Sequence, residues 1–367
     1  MPEQAKRVAV VPGDDAAPEA VHPTMAVLRQ MELPIEWNVL PDGETLASTT
    51  NREERERLIR EAADSSDTLL FGATSGKTGG IGYLRWGKGT FANVRPIRWW
   101  PGFRSPLRDP KGIDYIIVRE NLEDLYLGLE GDLAALRETG LKPPASRLRQ
   151  GLNLSQPGAG VPDGEGRYAI KVITRKNTER VAHFACRLAQ RRREQGYAGK
   201  VTCSSKYNVL WQSDGFFRET VKAVVAQYPE LEYEEYIVDD FARRLVASPH
   251  EIDVVVMPNL YGDILADEGA GTIGGLGLAP SGCYSDDYAY FEPVHGTAPD
   301  IAGRHTINPT ATMLSAVMML DYLGLEEDAR RLERAVEQTY AAGDRLTPDQ
   351  GGSASSDEFA EAVQSRL

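Results

Sequence analysis

Six short apolar runs, each closing on polar or glycine-rich residues, alternate along this chain with amphipathic stretches of helical length. The runs are VAVVPGDD (8–15), TLLFGATSG (68–76), DYIIVREN (114–121), YAIKVIT (168–174), KVTCSSKYN (200–208) and DVVVMPN (253–259). Helical patterns cover 17–32, 51–66, 175–195, 213–228 and 308–323. Buried strands alternating with helices predict an α/β fold with a largely parallel sheet. In such sheets ligands gather at the carboxyl ends of the strands. Asp14, Arg119, Lys206 and Asn259 fall at those ends, with Asp263 just beyond. One shared site is therefore expected, rather than scattered surface charge.

Composition narrows the function classes. A chain of 367 residues is long enough for two domains or two lobes. Its net charge of −13 argues against a nucleic-acid binder, which shows a basic footprint. Cys186, Cys203 and Cys283 are scattered and odd in number, with neither zinc spacing nor a disulfide framework. A reducing, cytoplasmic setting fits them best. No signal-like h-region opens the chain and no stretch suits a bilayer, so no membrane partner is expected.

The stretch MPNLYGDILADEGA (257–270) sets Asp263 and Asp267 four residues apart, on one side of a helix start. Two carboxylates side by side repel unless something positive lies between them. A helix dipole that tolerates acids is the plain reading, and a hard divalent cation is the sharper one. Two glycine-rich stretches are decoys. GATSGKT (72–78) has three residues between its first Gly and the Gly-Lys pair, where a P-loop needs four. TIGGLGL (272–278) does not give G-x-G-x-x-G after a strand. The segment 128–167 breaks the alternation, and its second half is rich in Gly and Pro. It reads as a surface loop or as an arm that reaches a neighbouring subunit.

Arg85, Arg95 and Arg119 form an ordered basic set suited to gripping carboxylates, although structural ion pairs would account for them equally. Tyr126 alone reads as a core residue. Lys206 closes a strand in SSKYNVL, and Asp239 ends a short β-like run in YIVDDF.

These motifs in this order resemble the β-decarboxylating dehydrogenases, the isocitrate, 3-isopropylmalate, homoisocitrate and tartrate dehydrogenase family. The resemblance runs through VVPGDDAAPE, LRWGKGTFANVRP, VRENLEDLY, SSKYNVL and VDDFARRLV. It continues in PNLYGDILADEGAGTIGGLGLAPSG, EPVHGTAPDIAGRHTINPTA and the GGSASS tail. It implies a two-lobed fold without a Rossmann turn and with the active site in the cleft between lobes. Residues 1–91 and 274–367 would form the cofactor lobe, and 92–273 the substrate and dimer lobe.

By that resemblance Arg85, Arg95 and Arg119 would hold the carboxylates of a malate core. Asp239, Asp263 and Asp267 would bind Mg²⁺ or Mn²⁺. Lys206 and Asp239 would serve proton removal from the partner subunit, so active sites would be shared in a homodimer. Tyr126 would protonate the enol carbon. NAD would lie against His295, Gly296, Thr297, Ala298, Pro299, Asp300, Ile301 and Asn308, with Thr74 and Asn208 also in contact. Asp300 would accept hydrogen bonds from both ribose hydroxyls and repel a 2′-phosphate, which implies NAD over NADP.

Substrate choice rests on the stretch GKTGGIGYLR (76–85). Gly82 stands where homoisocitrate enzymes offer an Arg, and only Ile81 remains of the isopropylmalate apolar set. Exposed N–H groups with Lys77 and Gly82 suggest a bulky or anionic C3 substituent, a phosphonate or second carboxylate. A flexible loop serving D-malate or tartrate is the equal alternative. A P-loop phosphotransferase using Lys77 and Thr78 would leave Asp263, Asp267 and HGTAPD unexplained. A catalytically silent regulatory homologue would have lost arginines, Tyr126, Lys206 or acids, and none is lost.

Overall fold

The computed structural model describes residues 5–139 and 164–367. The Gly- and Pro-rich half of the expected loop or arm, 140–163, lies outside them. In chain order the strands are β1 (Lys6–Val11), β2 (Ile35–Val39), β3 (Thr68–Phe71), β4 (Ala92–Arg98), β5 (Asp114–Glu120) and β6 (Glu130–Asp132). They continue with β7 (Arg167–Ala169), β8 (Lys200–Ser205), β9 (Glu232–Ile237), β10 (Val254–Met257), β11 (Pro280–Tyr284) and β12 (Ala289–Pro293). One mixed sheet takes the order β2-β1-β3-β12-β11-β4-β5-β10-β8-β9. The fold is α/β, as the alternation predicts, and five expected helices stand at Pro18–Gln30, Arg52–Asp64, Arg175–Glu194, Ser213–Val225 and Thr310–Tyr322.

The sheet is largely parallel, as expected, and β4 and β11 run antiparallel to their neighbours at its centre. One expectation needs correction: YAIKVIT contributes no strand to this sheet. Only its start is β7, which pairs with β6 in a separate ribbon. Lys171 in that run turns onto two buried carboxylates, which an uninterrupted central strand could not do.

The strand interiors explain the packing. β1, β3 and β10 carry Val, Leu and Phe with almost no exposed surface, as expected of strands covered on both faces. One apolar core joins Val8, Leu28, Ile97, Tyr115, Phe241, Leu265 and Met319. A second gathers Phe91, Val118, Val181, Phe217 and Val254 on the far side of β4 and β5. Gly13, at φ +87°, lets the end of β1 lie against the end of β3, because a Cβ there would stand 2.3 Å from the Ala73 carbonyl oxygen. Among the described residues no helix is long and apolar enough to cross a membrane.

Candidate active site

The helix Asn259–Ile273 begins directly after β10, at Pro258, which brings no capping side chain. Asp124 supplies the cap instead, accepting the Leu260 N–H at 3.0 Å. Asp263 and Asp267 then project one turn apart from this helix. Gly262 allows the helix to lie on the end of β5, since a Cβ there would come within 2.7 Å of the Arg119 Cβ. Asn93 of β4 stands opposite Arg119 of β5, which puts Arg95 and Arg119 on the same face of the sheet.

That face meets the two acids. Arg119, only 1 % exposed, donates from Nε to Asn259 Oδ1 at 2.8 Å and from Nη1 to Asp263 Oδ1. Arg95 Nη2 lies 3.0 Å from the same oxygen, and its Nη1 is 3.6 Å from Asp267 Oδ1. The Tyr126 hydroxyl donates to the other oxygen, Asp263 Oδ2. The guanidinium of Arg119 sits 4.7 Å from the Tyr126 ring centre, and that of Arg85 sits 5.4 Å from it. Burial raises the Asp263 carboxyl, but Arg119, Arg95 and Tyr126 outweigh it and hold the group below the usual carboxylate range. Asp267 goes the other way, raised by burial that Arg95 only partly offsets. Burial, with Arg95 adding repulsion, pushes Arg119 down to about 10.

Arg85 reaches this cluster from a π-helical turn, Tyr83–Gly87, a form that recurs at functional sites. Its Nε and the Nη2 of Arg119 are buried with no hydrogen-bond acceptor. Buried guanidinium N–H groups without partners are costly and suit an anion between them. Glu292 of β12 was not expected from the sequence. Burial keeps its carboxyl above the usual range against the pull of Arg85, Arg95 and Arg119. Its only sequence signal was a charge inside the apolar run YFEPV.

Lys206 and Asp239 form their own ion pair, with Asp239 60 % exposed. No hydrogen bond or ion pair among the described residues joins that pair to Asp263. Nor does any group of three acidic, His or Cys residues among them suit a metal ion. Asp263 and Asp267 come together within the chain, and Asp239 does not join them there. The oxygen-only donor set of the three acids fits a hard divalent cation.

The decoy loop has an internal anion. Buried Asp14 accepts the N–H groups of Ser75, Lys77 and Thr78 at 2.8, 2.9 and 2.9 Å. It also takes the hydroxyls of Thr74, at 2.8 Å, and of Thr78. Burial alone would raise Asp14, yet these bonds hold it below the carboxylate norm. Lys77 Nζ is paired with Asp15 at 2.6 Å and Glu44 at 2.7 Å. The loop expected to cradle an anionic substituent thus has its donors and its lysine engaged within the chain. Gly82 faces open space, with Trp86 at 3.9 Å as the nearest neighbour a Cβ would meet.

The HGTAPD stretch is tied to the first strand's turn, because Ala16 N–H donates to the Thr297 carbonyl at 2.9 Å. His295 Nδ1 lies 2.8 Å from the Gly296 carbonyl, while its Nε2 is buried without a partner. Burial pushes this imidazole below its usual pKa, toward the neutral form. A neutral ring with an unmet nitrogen fits a heteroaromatic ligand edge. Ala298 takes a left-handed conformation, φ +49°, and turns the chain into Pro299–Ile301, where Asp300 is exposed. Asn308 is buried, its amide donating to Tyr340 and Asp349 at 3.0 Å each and its carbonyl accepting Thr310 N–H at 3.0 Å. Only its main chain is left for a ligand. Asn208 is exposed in the turn after β8, and no described hydrogen bond links it to Thr74 or His295.

The chain is similar to known proteins along nearly its whole length. The model of the isocitrate/isopropylmalate dehydrogenase family matches residues 7–363. A 3-isopropylmalate/3-methylmalate dehydrogenase of Methanocaldococcus jannaschii is 40 % identical, over 98 % of each chain. An isocitrate/homoisocitrate dehydrogenase of Thermus thermophilus is 38 % identical over 99 % of each chain. The crystal structure of isocitrate dehydrogenase from Methylococcus capsulatus superposes with a TM-score of 0.80 at 29 % identity, covering 98 % of this chain and 99 % of that one. Matched along nearly its whole length, the chain belongs to the isocitrate/isopropylmalate dehydrogenase family of oxidoreductases.

Proposed function

We propose that this protein oxidises and decarboxylates a 3-substituted malate to a 2-oxo acid, using NAD and Mg²⁺ or Mn²⁺, as a homodimer with shared active sites. The observation that carries the reading is the pair of acceptor-less buried guanidinium N–H groups, on Arg85 and Arg119, beside the Asp263–Tyr126 cluster. Arg85, Arg95 and Arg119 bind the two carboxylates. Asp263 and Asp267, with the partner's Asp239, hold the cation. Bound NAD would supply the hydride acceptor, and a cation held by those acids would supply a Lewis acid. Lys206, oriented by Asp239, takes the C2 hydroxyl proton. Tyr126 delivers a proton to the carbon that has lost CO₂. The guanidinium groups keep the remaining carboxylate in place during both transfers.

The chain ends, 1–91 and 274–367, carry the cofactor, and 92–273 carries the substrate and dimer contacts. His295 and the main chain of Asn308 would hold the adenine, and Asp300 would bind the ribose hydroxyls. With Lys77 neutralised by two carboxylates and the loop N–H groups turned onto Asp14, we read the C3 substituent as uncharged. Exposed Trp86 beside Gly82 offers it an apolar wall.

NADH formation with Mn²⁺ tests this across D-malate, tartrate, 3-methylmalate, 3-isopropylmalate, isocitrate, homoisocitrate and a phosphonomethylmalate. A 3-alkylmalate as the best substrate is the expected result, and preference for D-malate would mean that the site reads no C3 substituent. Preference for isocitrate, homoisocitrate or the phosphonate would restore the anionic cradle, and silence across the panel would sink the proposed chemistry.

A further inference from the structure

Lys171 of the YAIKVIT run has no part in the proposed reaction, yet it holds two fully buried acids at once. Its Nζ is 2.9 Å from Asp214 Oδ2 and 3.4 Å from Asp124 Oδ1, with both carboxylates 0 % exposed. It also sits 4.3 Å from the Tyr261 ring centre. Each acid is committed further. Asp214 Oδ1 accepts the Lys206 N–H at 2.9 Å. Asp124 accepts Leu125 N–H at 2.8 Å and Leu260 N–H at 3.0 Å, and so fixes the turn before Tyr126 and caps the helix bearing Asp263 and Asp267. Asp124 itself is held at a positive φ, +66°, with ψ −144°, which its surroundings must impose. One ammonium thus stands between two buried carboxylates that would otherwise repel. The positive end of the Asn259–Ile273 helix meets the remaining charge.

We propose that Lys171 is a positioning residue that locks the Lys206 turn and the Tyr126–Asp263 cluster in mutual register through Asp214 and Asp124. The roles of Lys206 and Tyr126 rest on the reaction proposed above, but the register does not. It explains why the YAIKVIT run leaves the main sheet: its lysine is needed between two loops, and Val172 bridges to Asp124.

The test is amide hydrogen exchange on the full chain, read together with steady-state kinetics. In Lys171→Met the Lys206 and Leu260 amides should exchange at least about tenfold faster while β5 amides are unchanged. The value of kcat should fall at least about tenfold with the KM for NAD held within about threefold. Lys171→Arg should restore part of both. If Lys171→Met does not fold, Asp214→Ala should free only the Lys206 amide and Asp124→Ala only Leu125 and Leu260. Unchanged exchange at either arm, or acceleration spread evenly over the sheet, would overturn the proposal. Exchange needs no turnover, so an inactive wild-type protein would remove the reaction and leave this inference to stand or fall alone.

Discussion

Arg119 and Asp263 bind one another directly within a single chain, the guanidinium Nη1 donating to Oδ1 while Tyr126 donates to Oδ2. The arginine side chain is 2 % exposed and the acid 32 %. Removing the acid leaves a buried positive charge with no anionic partner, facing Asn259 and the Tyr126 ring. Asp263→Ala should therefore destabilise the fold by about 3 kcal/mol. Asp267 is 52 % exposed and paired at 3.6 Å, so Asp267→Ala should cost under about 1 kcal/mol. Both variants should abolish turnover. Urea midpoints beside initial rates check this, and equal stability losses would contradict it.

The unpartnered N–H groups of Arg85 and Arg119 are where a carboxylate gains most. A charge-assisted hydrogen bond contributes about 1.5–3 kcal/mol, so Arg85→Met should raise the KM for the diacid about 10- to 100-fold. The KM for NAD should stay within about threefold. A rise in both would move Arg85 from the substrate to the fold.

Lys77 has two carboxylate partners inside the chain. Lys77→Met should leave the diacid KM within about threefold, and a tenfold rise would return Lys77 to the substrate. Asp14→Asn, by contrast, turns an acceptor of several buried donors into a partial donor. It should cost about 1–3 kcal/mol in stability and raise the KM for NAD, because Thr74 hangs on that carboxylate.

Asp300 is exposed on the turn after Ala298 and would meet a 2′-phosphate with like charge. Asp300→Ala should weaken NAD use and narrow the NAD-to-NADP ratio of kcat/KM by at least about tenfold. An unchanged ratio would place ribose recognition elsewhere.

Glu120, beside Arg119, is pushed up to about 7 by burial, against bonds from the Leu122 and Glu123 N–H groups. In the unfolded chain it ionises near 4.5, the ordinary value. Between those limits the folded state binds more protons, so stability falls as pH rises from about 4.5 to 7 and then levels. The full effect is on the order of 3 kcal/mol. Glu120→Gln should flatten that slope in urea melts between pH 5 and 8; an equal slope in both proteins would assign the pH dependence to another group.

The alternation of apolar runs with helical periods was enough to determine the α/β class and to put Asp14, Arg119, Lys206 and Asn259 at strand ends. Burial on both faces leaves a strand no other composition. The spacing of Asp263 and Asp267 was likewise enough to put both on one side of a helix, since the helical period is local. Partners are not local, and these only the tertiary structure decided. Two acids one turn apart read alike whether a cation or Arg95 and Arg119 faces them. Loop N–H groups read alike whether they await a phosphate or close on Asp14, some 60 residues upstream. YAIKVIT read as one more buried strand, and folding made its Lys171 the bridge between Asp124 and Asp214. Periodicity records which face a residue takes; what stands opposite depends on how distant segments pack.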